Sequence, residues 1–264
     1  MDSGRRIVTF TTDFGTADGY VGAMKGVVAR LAPDAALVDV AHDVAAQDVV
    51  GGALGLAAAA PFFPAGTVHV AVVDPGVGGA RAEVVVSGAG GQVFVGPDNG
   101  LLSLAAATPR RTFRIAAARF RAATVSPTFH GRDVFAVAAG RIAAGAAVED
   151  AGPELAALAE LPLPPPGDAA GEVIHVDRFG NLVTNIVIDL GPPPASSAAR
   201  VATPAGTVEA PLCRTYGDVA PGALVAYVGS ANLVEIAVRD GSAAERLGAG
   251  RGAAVRLVPK APAP

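Results

Sequence analysis

The N-terminal half of the sequence alternates short β-branched runs with stretches of helical periodicity. In chain order they are a strand at Ile7–Phe10, a helix at Tyr20–Leu31, a strand at Ala36–Val40, a helix at Asp48–Ala60 and a strand at Thr67–Val73. A helix that joins two strands at this spacing forms a right-handed crossover, so the pattern predicts a parallel sheet. Further strands at Val84–Ser87 and Val93–Val95 and a helix from about Arg132 to Ala143 complete the predicted domain.

A proline-rich segment, residues 161–170, follows this region. Prolines this dense do not fit a helix interior or a central strand, so we expect a linker there, between domains 1–160 and 171–264. Short strand-like runs follow it at Glu172–Val176, Asn185–Ile188, Leu224–Tyr227, Leu233–Val238 and Ala253–Val258. The predicted fold is an α/β N-terminal domain with a mainly parallel central sheet, then a small all-β barrel-like domain.

Composition and charge exclude several classes of partner. The net charge is −4 and no run of basic residues interleaves with aromatic ones, which argues against nucleic acid. The longest uncharged run, Val49–Val73, contains Pro61 and Pro64, so it reads as a buried helix, a turn and a strand rather than a membrane span. The single cysteine, Cys213, and an N-terminus unlike a signal peptide favour the cytoplasm.

Four polar clusters follow predicted strands, at residues 11–18, 42–43, 74–81 and 128–133. Ligands of open α/β sheets bind beyond the carboxyl ends of the strands, so the clusters form a candidate site, although each alone also fits turn or capping chemistry. The glycines after Asp74 match neither a dinucleotide fingerprint nor a P-loop, and neither G-x-S-x-G nor H-E-x-x-H occurs. A metal site built from distant His and Asp residues is a lesser alternative.

Five longer motifs occur in order across both predicted domains. They are Thr11–Gly15, Val73–Gly78, Val95–Leu101, Thr128–Asp133 and Asp177–Asn185. Together they resemble the S-adenosyl-methionine hydroxide adenosyltransferases, which are relatives of the fluorinases and chlorinases. The resemblance implies an enzyme that splits S-adenosyl-methionine with water into adenosine and methionine, without a metal or another cofactor.

The resemblance also implies binding roles for individual residues. Asp13 matches the carboxylate that receives both ribose hydroxyls, and its two acceptor oxygens suit a vicinal diol. The other matches are Asp18, Asp177 and Ser230 for the methionine end, and Phe179 and Asn181 for adenine. Similar proteins form trimers whose sites lie between the N-terminal domain of one subunit and the C-terminal domain of its neighbour, so a homotrimer is implied.

Three positions bear on the choice of nucleophile. Asp74, Arg81 and His130 match the Asp, Arg and His of the water-using branch, whereas halide-using relatives carry tyrosines in place of Asp74 and His130. Gly131, which we group with the substrate-binding positions, stands where the fluorinase has a serine, and Gln47 lies near the place of its tryptophan. Water is therefore favoured over halide.

Water needs activation because its pKa of about 15.7 makes hydroxide scarce near neutrality. Arg81 would favour an oxygen that gains negative charge, while either Asp74 or His130 accepts the proton. Gly79 and Ala80 have little side chain to support Arg81, so the sequence does not determine how far the Arg81 side chain extends into the site. Two other functions stay open: a halide-dependent, chlorinase-like relative, and a non-catalytic sensor of S-adenosyl-methionine or adenosine.

Overall fold

The structure is a computed structural model that describes residues 6–188 and 197–259. The chain forms two compact units, one ending at Pro162 and one beginning at Leu163. Within these described ranges, no helix is both long and apolar enough to cross a bilayer.

The first unit is an α/β domain. Its strands are β1 (Ile7–Thr12), β2 (Ala36–Ala41), β3 (Val68–Val72), β4 (Glu83–Ser87), β5 (Val93–Pro97), β6 (Arg111–Arg114) and β7 (Glu154–Leu155). Its helices are α1 (Tyr20–Leu31), α2 (Val49–Ala59) and α3 (Ala136–Ala143). A π-helical turn at Gly131–Phe135 leads into α3, and short 3-10 turns lie at Ala60–Phe62, Ala89–Gly91, Ala118–Phe120 and Val148–Ala151.

The seven strands form one mixed sheet in the order β2-β1-β3-β5-β4-β6-β7. The neighbours from β2 to β5 pair in parallel, as the sequence predicts. The remaining neighbours pair antiparallel, so the sheet is parallel only on one side. Only residues 88–92 connect β4 to β5, which is too short for a crossover and sufficient for a hairpin.

Apolar side chains cover both faces of this sheet and hold the strand ends in place. Val8, Phe10 and Val72 pack with α1 and α3 on one face. Leu56 of α2 packs with Phe94 on the other. Phe10 and Leu56 have no exposed surface, and removing a buried aromatic side chain of this size costs about 3–5 kcal/mol. The carboxyl ends of β1 and β3 are therefore rigid supports for the residues that follow them.

The second unit is an all-antiparallel β domain. Its elements are β8 (Ala170–Val176), β9 (Leu182–Val187), β10 (Ser197–Thr203), β11 (Gly206–Pro211), β12 (Leu224–Val228), β13 (Leu233–Val238), β14 (Ala254–Pro259), α4 (Ala243–Leu247) and a 3-10 turn at Tyr216–Asp218. The strand order is β11-β10-β14-β8-β9-β13-β12. A bridge between Leu212, which follows β11, and Ala226 of β12 joins the two ends, so the sheet is a nearly closed barrel.

Candidate active site

Three of the four predicted polar clusters meet at one cavity of about 410 Å³ in the first unit. β1 and β3 are parallel neighbours with Thr12 opposite Val72, so the residues just beyond them lie side by side. The cavity is lined by Asp13, Phe14, Tyr20, Gln47, Val72, Asp74, Pro75, Val77, Thr128, Phe129, His130 and Gly131. Its position beyond the carboxyl ends of parallel strands is the usual place for a ligand in an α/β sheet.

Asp74, Arg81 and His130 form one hydrogen-bonded group at this cavity. Arg81 Nε donates to Asp74 Oδ1 at 3.0 Å, and Arg81 Nη2 donates to Asp74 Oδ2 at 2.5 Å. The same Nη2 lies 2.8 Å from His130 Nδ1. The Asp74 side chain is 4% exposed and that of Arg81 is 9% exposed, so water screens this ion pair little. Asp74 and His130 line the cavity, and Arg81, which does not, is bonded to both of them.

The loop that carries Asp74 and Arg81 is braced by backbone contacts. Gly78 has a φ of 75°, and a Cβ there would lie 2.5 Å from the carbonyl oxygen of Pro127. The loop therefore packs directly against the segment that leads to His130. On its other side, Asn99 Nδ2 donates to the carbonyl of Val73 at 2.9 Å, which gives the Val95–Leu101 motif a bracing role.

Side chains brace Arg81 where the small residues Gly79 and Ala80 do not. Besides Asp74, the guanidinium lies over the ring of Phe135, with Cζ 5.5 Å from its centroid. Phe135 closes the π-helical turn that begins just after His130. Such turns occur frequently at functional sites, and this one holds Arg81 and His130 against the same element.

Glu83, the first residue of β4, joins the group although it lies in none of the five sequence motifs. Its Oε1 lies 3.3 Å from Arg81 Nη1 and 3.2 Å from His130 Nδ1. Its Oε2 lies 3.4 Å from Arg121 Nη1. Residues two apart on an extended segment point to the same side, so the spacing of Arg81 and Glu83 is the signal that could have found it.

The surroundings of His130 favour its neutral form. Burial lowers the pKa of His130 below its ordinary value, and the positive charge of Arg81 lowers it further. The carboxylates of Glu83 and Asp74 oppose this shift without reversing it. Because the ordinary pKa is about 6.5, the imidazole is mainly neutral at pH 7.

Asp13 follows β1 directly and is held by a strained neighbour. Its Oδ2 accepts a hydrogen bond from the backbone N–H of Gln47 at 2.8 Å. Gln47 has a φ of 66°, a left-handed conformation that costs a side-chain-bearing residue about 1–2 kcal/mol. Strain of this kind clusters at binding sites, and here it places the Gln47 amide on Asp13.

The fourth predicted cluster, at His42, braces the strand ends and does not line the cavity. His42 Nδ1 lies 2.9 Å from Thr12 Oγ1, and His42 Nε2 lies 2.9 Å from Asp39 Oδ1. Asp39 in turn accepts from Lys25 Nζ at 2.6 Å. The chain of contacts fixes the end of β1, from which Asp13 continues.

Asp18 and Gly131 differ in their relation to the cavity. Asp18 is exposed in the loop before α1 and is not among the lining residues. Gly131 is buried in the lining, and a Cβ there would lie 3.2 Å from Met24 Sδ and 3.3 Å from the Phe129 ring. A serine at this position would crowd both side chains.

The remaining predicted residues lie in the second unit, which has its own cavity of about 750 Å³. It is lined by Phe179, Asn181, Tyr216, Gly217, Val238, Arg239, Asp240 and Gly241. Phe179 is 76% exposed, so its ring is accessible to a ligand in this cavity. Ser230 is exposed in the turn between β12 and β13 and does not line this cavity.

The Asp177 carboxylate organises the turn that carries Phe179 and Asn181. Its Oδ1 accepts the backbone N–H groups of Phe179 at 2.9 Å and Asn181 at 2.8 Å, and its Oδ2 accepts Asn181 Nδ2 at 2.8 Å. Asp177 therefore shapes the face predicted for adenine, in addition to any direct contact with the methionine end.

A partly buried hydrogen-bond chain behind Asn181 was not predicted from the sequence. Asn181 Nδ2 donates to the Tyr216 hydroxyl at 3.3 Å, the Tyr216 and Tyr227 hydroxyls are bonded to each other, and Tyr227 donates to Glu235 Oε2 at 2.5 Å. Burial raises the pKa of both Glu235 and Tyr227. The chain fixes which way the Asn181 amide points.

Among residues 6–188 and 197–259, no group of three or more His, Cys, Asp or Glu side chains is placed to hold a metal ion.

Comparisons with known proteins match the family that the motifs resemble. The SAM hydroxide adenosyltransferase N-terminal domain matches residues 8–152 and the corresponding C-terminal domain matches residues 171–256. A curated relative from Thermus thermophilus, named (R)-S-adenosyl-L-methionine hydrolase, is 44% identical over 96% of this chain and 100% of its own length. A fluorinase from Actinopolyspora mzabensis is more distant, 28% identical over 96% of this chain and 97% of its own.

A solved structure agrees with these matches. The crystal structure of an uncharacterized conserved protein from Thermotoga maritima superposes with a TM-score of 0.85 and 34% identity, over 95% of this chain and 99% of that one. The resemblance predicted from the five motifs is thus confirmed, and this chain belongs to the SAM hydroxide adenosyltransferase family.

Proposed function

We propose that this protein hydrolyses S-adenosyl-L-methionine to adenosine and L-methionine by attack of water on ribose C5′. The observation that carries the proposal is the buried group of Asp74, Arg81 and His130, which opens on the same cavity as Asp13. A proton acceptor thereby lies at one wall with a fixed cation bonded to it, and a carboxylate suited to a diol lies at another.

In this reaction the leaving group needs no activation, whereas the nucleophile does. The substrate is a sulfonium, so rupture of the C5′–S bond releases neutral methionine and needs no general acid. We propose that the reaction uses no cofactor, since this leaving group needs no activation and the Asp74, Arg81 and His130 group can activate the water. Water must lose a proton as its oxygen bonds to C5′, and the Arg81 guanidinium favours an oxygen that gains negative charge.

Substrate contacts are part of the same proposal. Asp13 receives the ribose hydroxyls, and its orientation is supported by the hydrogen bond from the Gln47 amide. Phe179 packs on adenine and Asn181 hydrogen-bonds it, supported by the chain through Tyr216 and Tyr227. For the methionine end the residues are Asp18, Asp177 and Ser230. Gly131 leaves room for the substrate because it adds no side chain to a crowded wall.

Water rather than halide is the proposed nucleophile. A halide ion has no proton to lose and needs no base, so Asp74 paired with Arg81 would serve no purpose for it. The relative from Thermus thermophilus is named for the (R) form of the substrate, and we propose the same configuration at sulfur here. We also propose a homotrimer, which light scattering coupled to size-exclusion chromatography would test.

Product analysis tests the proposal. The purified enzyme is incubated with the separate (R) and (S) sulfur diastereomers, with and without chloride, and nucleosides and methionine are measured by liquid chromatography. We expect equimolar adenosine and methionine, faster from the (R) form and independent of chloride. Formation of 5′-chloro-5′-deoxyadenosine would identify a halide-dependent enzyme, and bound but intact substrate would identify a sensor.

A further inference from the structure

The position of Glu83 suggests a role in the reaction although it does not line the cavity. Its side chain is 16% exposed and lies behind the Asp74, Arg81 and His130 group. One carboxylate oxygen faces both Arg81 Nη1 at 3.3 Å and His130 Nδ1 at 3.2 Å. The other faces Arg121 at 3.4 Å.

Arg81 is held at one edge by Asp74 and lies beside Glu83 at another. Its Nη1 is buried and makes no hydrogen bond within the described residues, and the Glu83 carboxylate is at ion-pair distance from it. A guanidinium is planar, so fixing two of its edges fixes the direction of every N–H. With Asp74 and Glu83 in place, Nη2 is aimed at His130 Nδ1 at 2.8 Å.

This contact decides where neutral His130 carries its proton. Two groups compete at His130 Nδ1: the Arg81 guanidinium at 2.8 Å can only donate, and the Glu83 carboxylate at 3.2 Å can only accept. Of the two, the Arg81 contact is shorter and has hydrogen-bond geometry, so we take Nδ1 as the acceptor and place the proton of the neutral ring on Nε2. His130 is then a donor toward an oxygen in the cavity and has no free lone pair with which to remove a proton. The Asp74 carboxylate is the remaining acceptor.

We propose that Glu83 is a positioning residue for the hydrolysis, an inference that rests on the function proposed above. Glu83 holds the Nη1 edge of Arg81, which keeps Nη2 on His130 Nδ1 and the imidazole proton on Nε2. As the water oxygen bonds to C5′, the C5′–S electron pair passes to methionine and the water proton passes to Asp74. His130 donates a hydrogen bond to the attacking oxygen.

The exchange Glu83→Gln tests this role, because it keeps the size of the side chain and removes its charge. We expect kcat to fall on the order of 10-fold to 100-fold, by analogy with metal sites, where removing a residue that orients a metal ligand has an effect of this size. KM should change by less than roughly threefold, since Glu83 does not line the cavity. The matched control is Glu154→Gln, which breaks an ion pair with Arg111 outside the cavity.

A second readout follows the imidazole itself by NMR of the protein labelled with nitrogen-15 histidine. The charged groups that face His130 or act on it are Asp74, Arg81, Glu83, Arg121 and Asp133. Glu83 raises the pKa of His130, so its removal should shift the titration midpoint of His130 to lower pH. The signals are assigned by their loss in His130→Gln, and a purely structural role for Glu83 would leave the midpoint in place.

The outcomes separate this inference from the proposed function. Wild-type kcat and an unmoved His130 titration in Glu83→Gln would overturn it. If that variant does not fold, the wild-type spectrum decides alone: neutral His130 protonated on Nε2 supports the inference, and protonation on Nδ1 overturns it. A wild-type enzyme that forms no adenosine would refute the hydrolysis instead, while the spectra still test the contact between Glu83 and His130.

Discussion

Replacing Asp74 with asparagine isolates the charge of the carboxylate at the centre of the site. Asparagine can still accept from Arg81 Nε, now 3.0 Å from Oδ1. At the other position an amide N–H₂ would face Arg81 Nη2, where Oδ2 now accepts at 2.5 Å. Oδ2 also accepts from Arg81 Nε at 3.1 Å, so both charged hydrogen bonds to this oxygen are lost, and a donor faces donors in a pair that is almost fully buried.

The expected loss of stability follows from these contacts. A hydrogen bond to a charged group contributes about 1.5–3 kcal/mol, and breaking one side of a buried ion pair costs about 3–5 kcal/mol. Glu83 remains 3.3 Å from Arg81 and compensates part of the lost charge. We therefore expect the free energy of unfolding to fall by about 2–3 kcal/mol, measured by urea unfolding.

We expect Asp74→Asn to lose more activity than its lower stability alone would cause. Removing a general base costs about 10²- to 10⁴-fold in rate, which is about 2.7–5.5 kcal/mol in the barrier. Adenosine binding should stay close to that of the wild type because Asp13 is unchanged. Single-turnover formation of adenosine and calorimetric titration with adenosine measure the two effects separately.

The control makes the same chemical change at an exposed ion pair. Asp150 Oδ2 lies 2.6 Å from Arg119 Nη2 with 45% of its side chain exposed, so Asp150→Asn should cost less than about 1 kcal/mol and leave the rate unchanged. An Asp74→Asn enzyme with a rate within about tenfold of the wild type would refute the assignment of Asp74 as proton acceptor.

Three further predictions concern binding, loop geometry and acid stability. Asp13→Ala should weaken adenosine binding by about 1.5–3 kcal/mol for each charged hydrogen bond lost, and unchanged affinity in calorimetry would remove Asp13 from the ribose site. Gly78→Ala should lower the free energy of unfolding by more than about 1 kcal/mol and reduce kcat, because φ is 75° and the new Cβ would lie 2.5 Å from a carbonyl oxygen. The control Gly22→Ala, in open space on α1, should stabilise by about 0.5–1 kcal/mol, and equal melting temperatures for the two variants would contradict this argument. Burial lowers the pKa of His69 to about 4, so the unfolded chain takes up the proton first as the pH falls. The stability that is complete above pH 6.5 should therefore decrease by up to about 3 kcal/mol between pH 6.5 and 4, and a His69→Gln variant with the same pH dependence as the wild type would assign the loss to other groups.

The local sequence pattern was enough to predict the bounds of the elements that have strong helical periodicity. The helix Tyr20–Leu31 has the predicted bounds, and Asp48 caps the next helix by accepting from Gly51 N–H at 3.0 Å. β10 and β11 were not predicted because each contains only two β-branched residues, and only pairing in the barrel makes them strands.

Some residues of the candidate site could likewise be predicted from the sequence, and others could not. The clusters around Asp13, Asp74 and His130 were predictable because polar residues at strand ends stand out in an apolar chain. Tyr227 and Glu235 were not, because they meet only through the register of β12 with β13, which places them directly opposite each other. Sequence spacing alone does not specify such a register.

The claim that water attacks C5′ is tested most directly by incubating the enzyme with S-adenosyl-L-methionine in oxygen-18 water. Mass spectrometry then locates the label in the two products. We predict one oxygen-18 atom in the 5′-hydroxyl of adenosine and none in methionine, at a rate that does not depend on chloride. Unlabelled adenosine, or a 5′-halogenated nucleoside in its place, would contradict the proposed reaction.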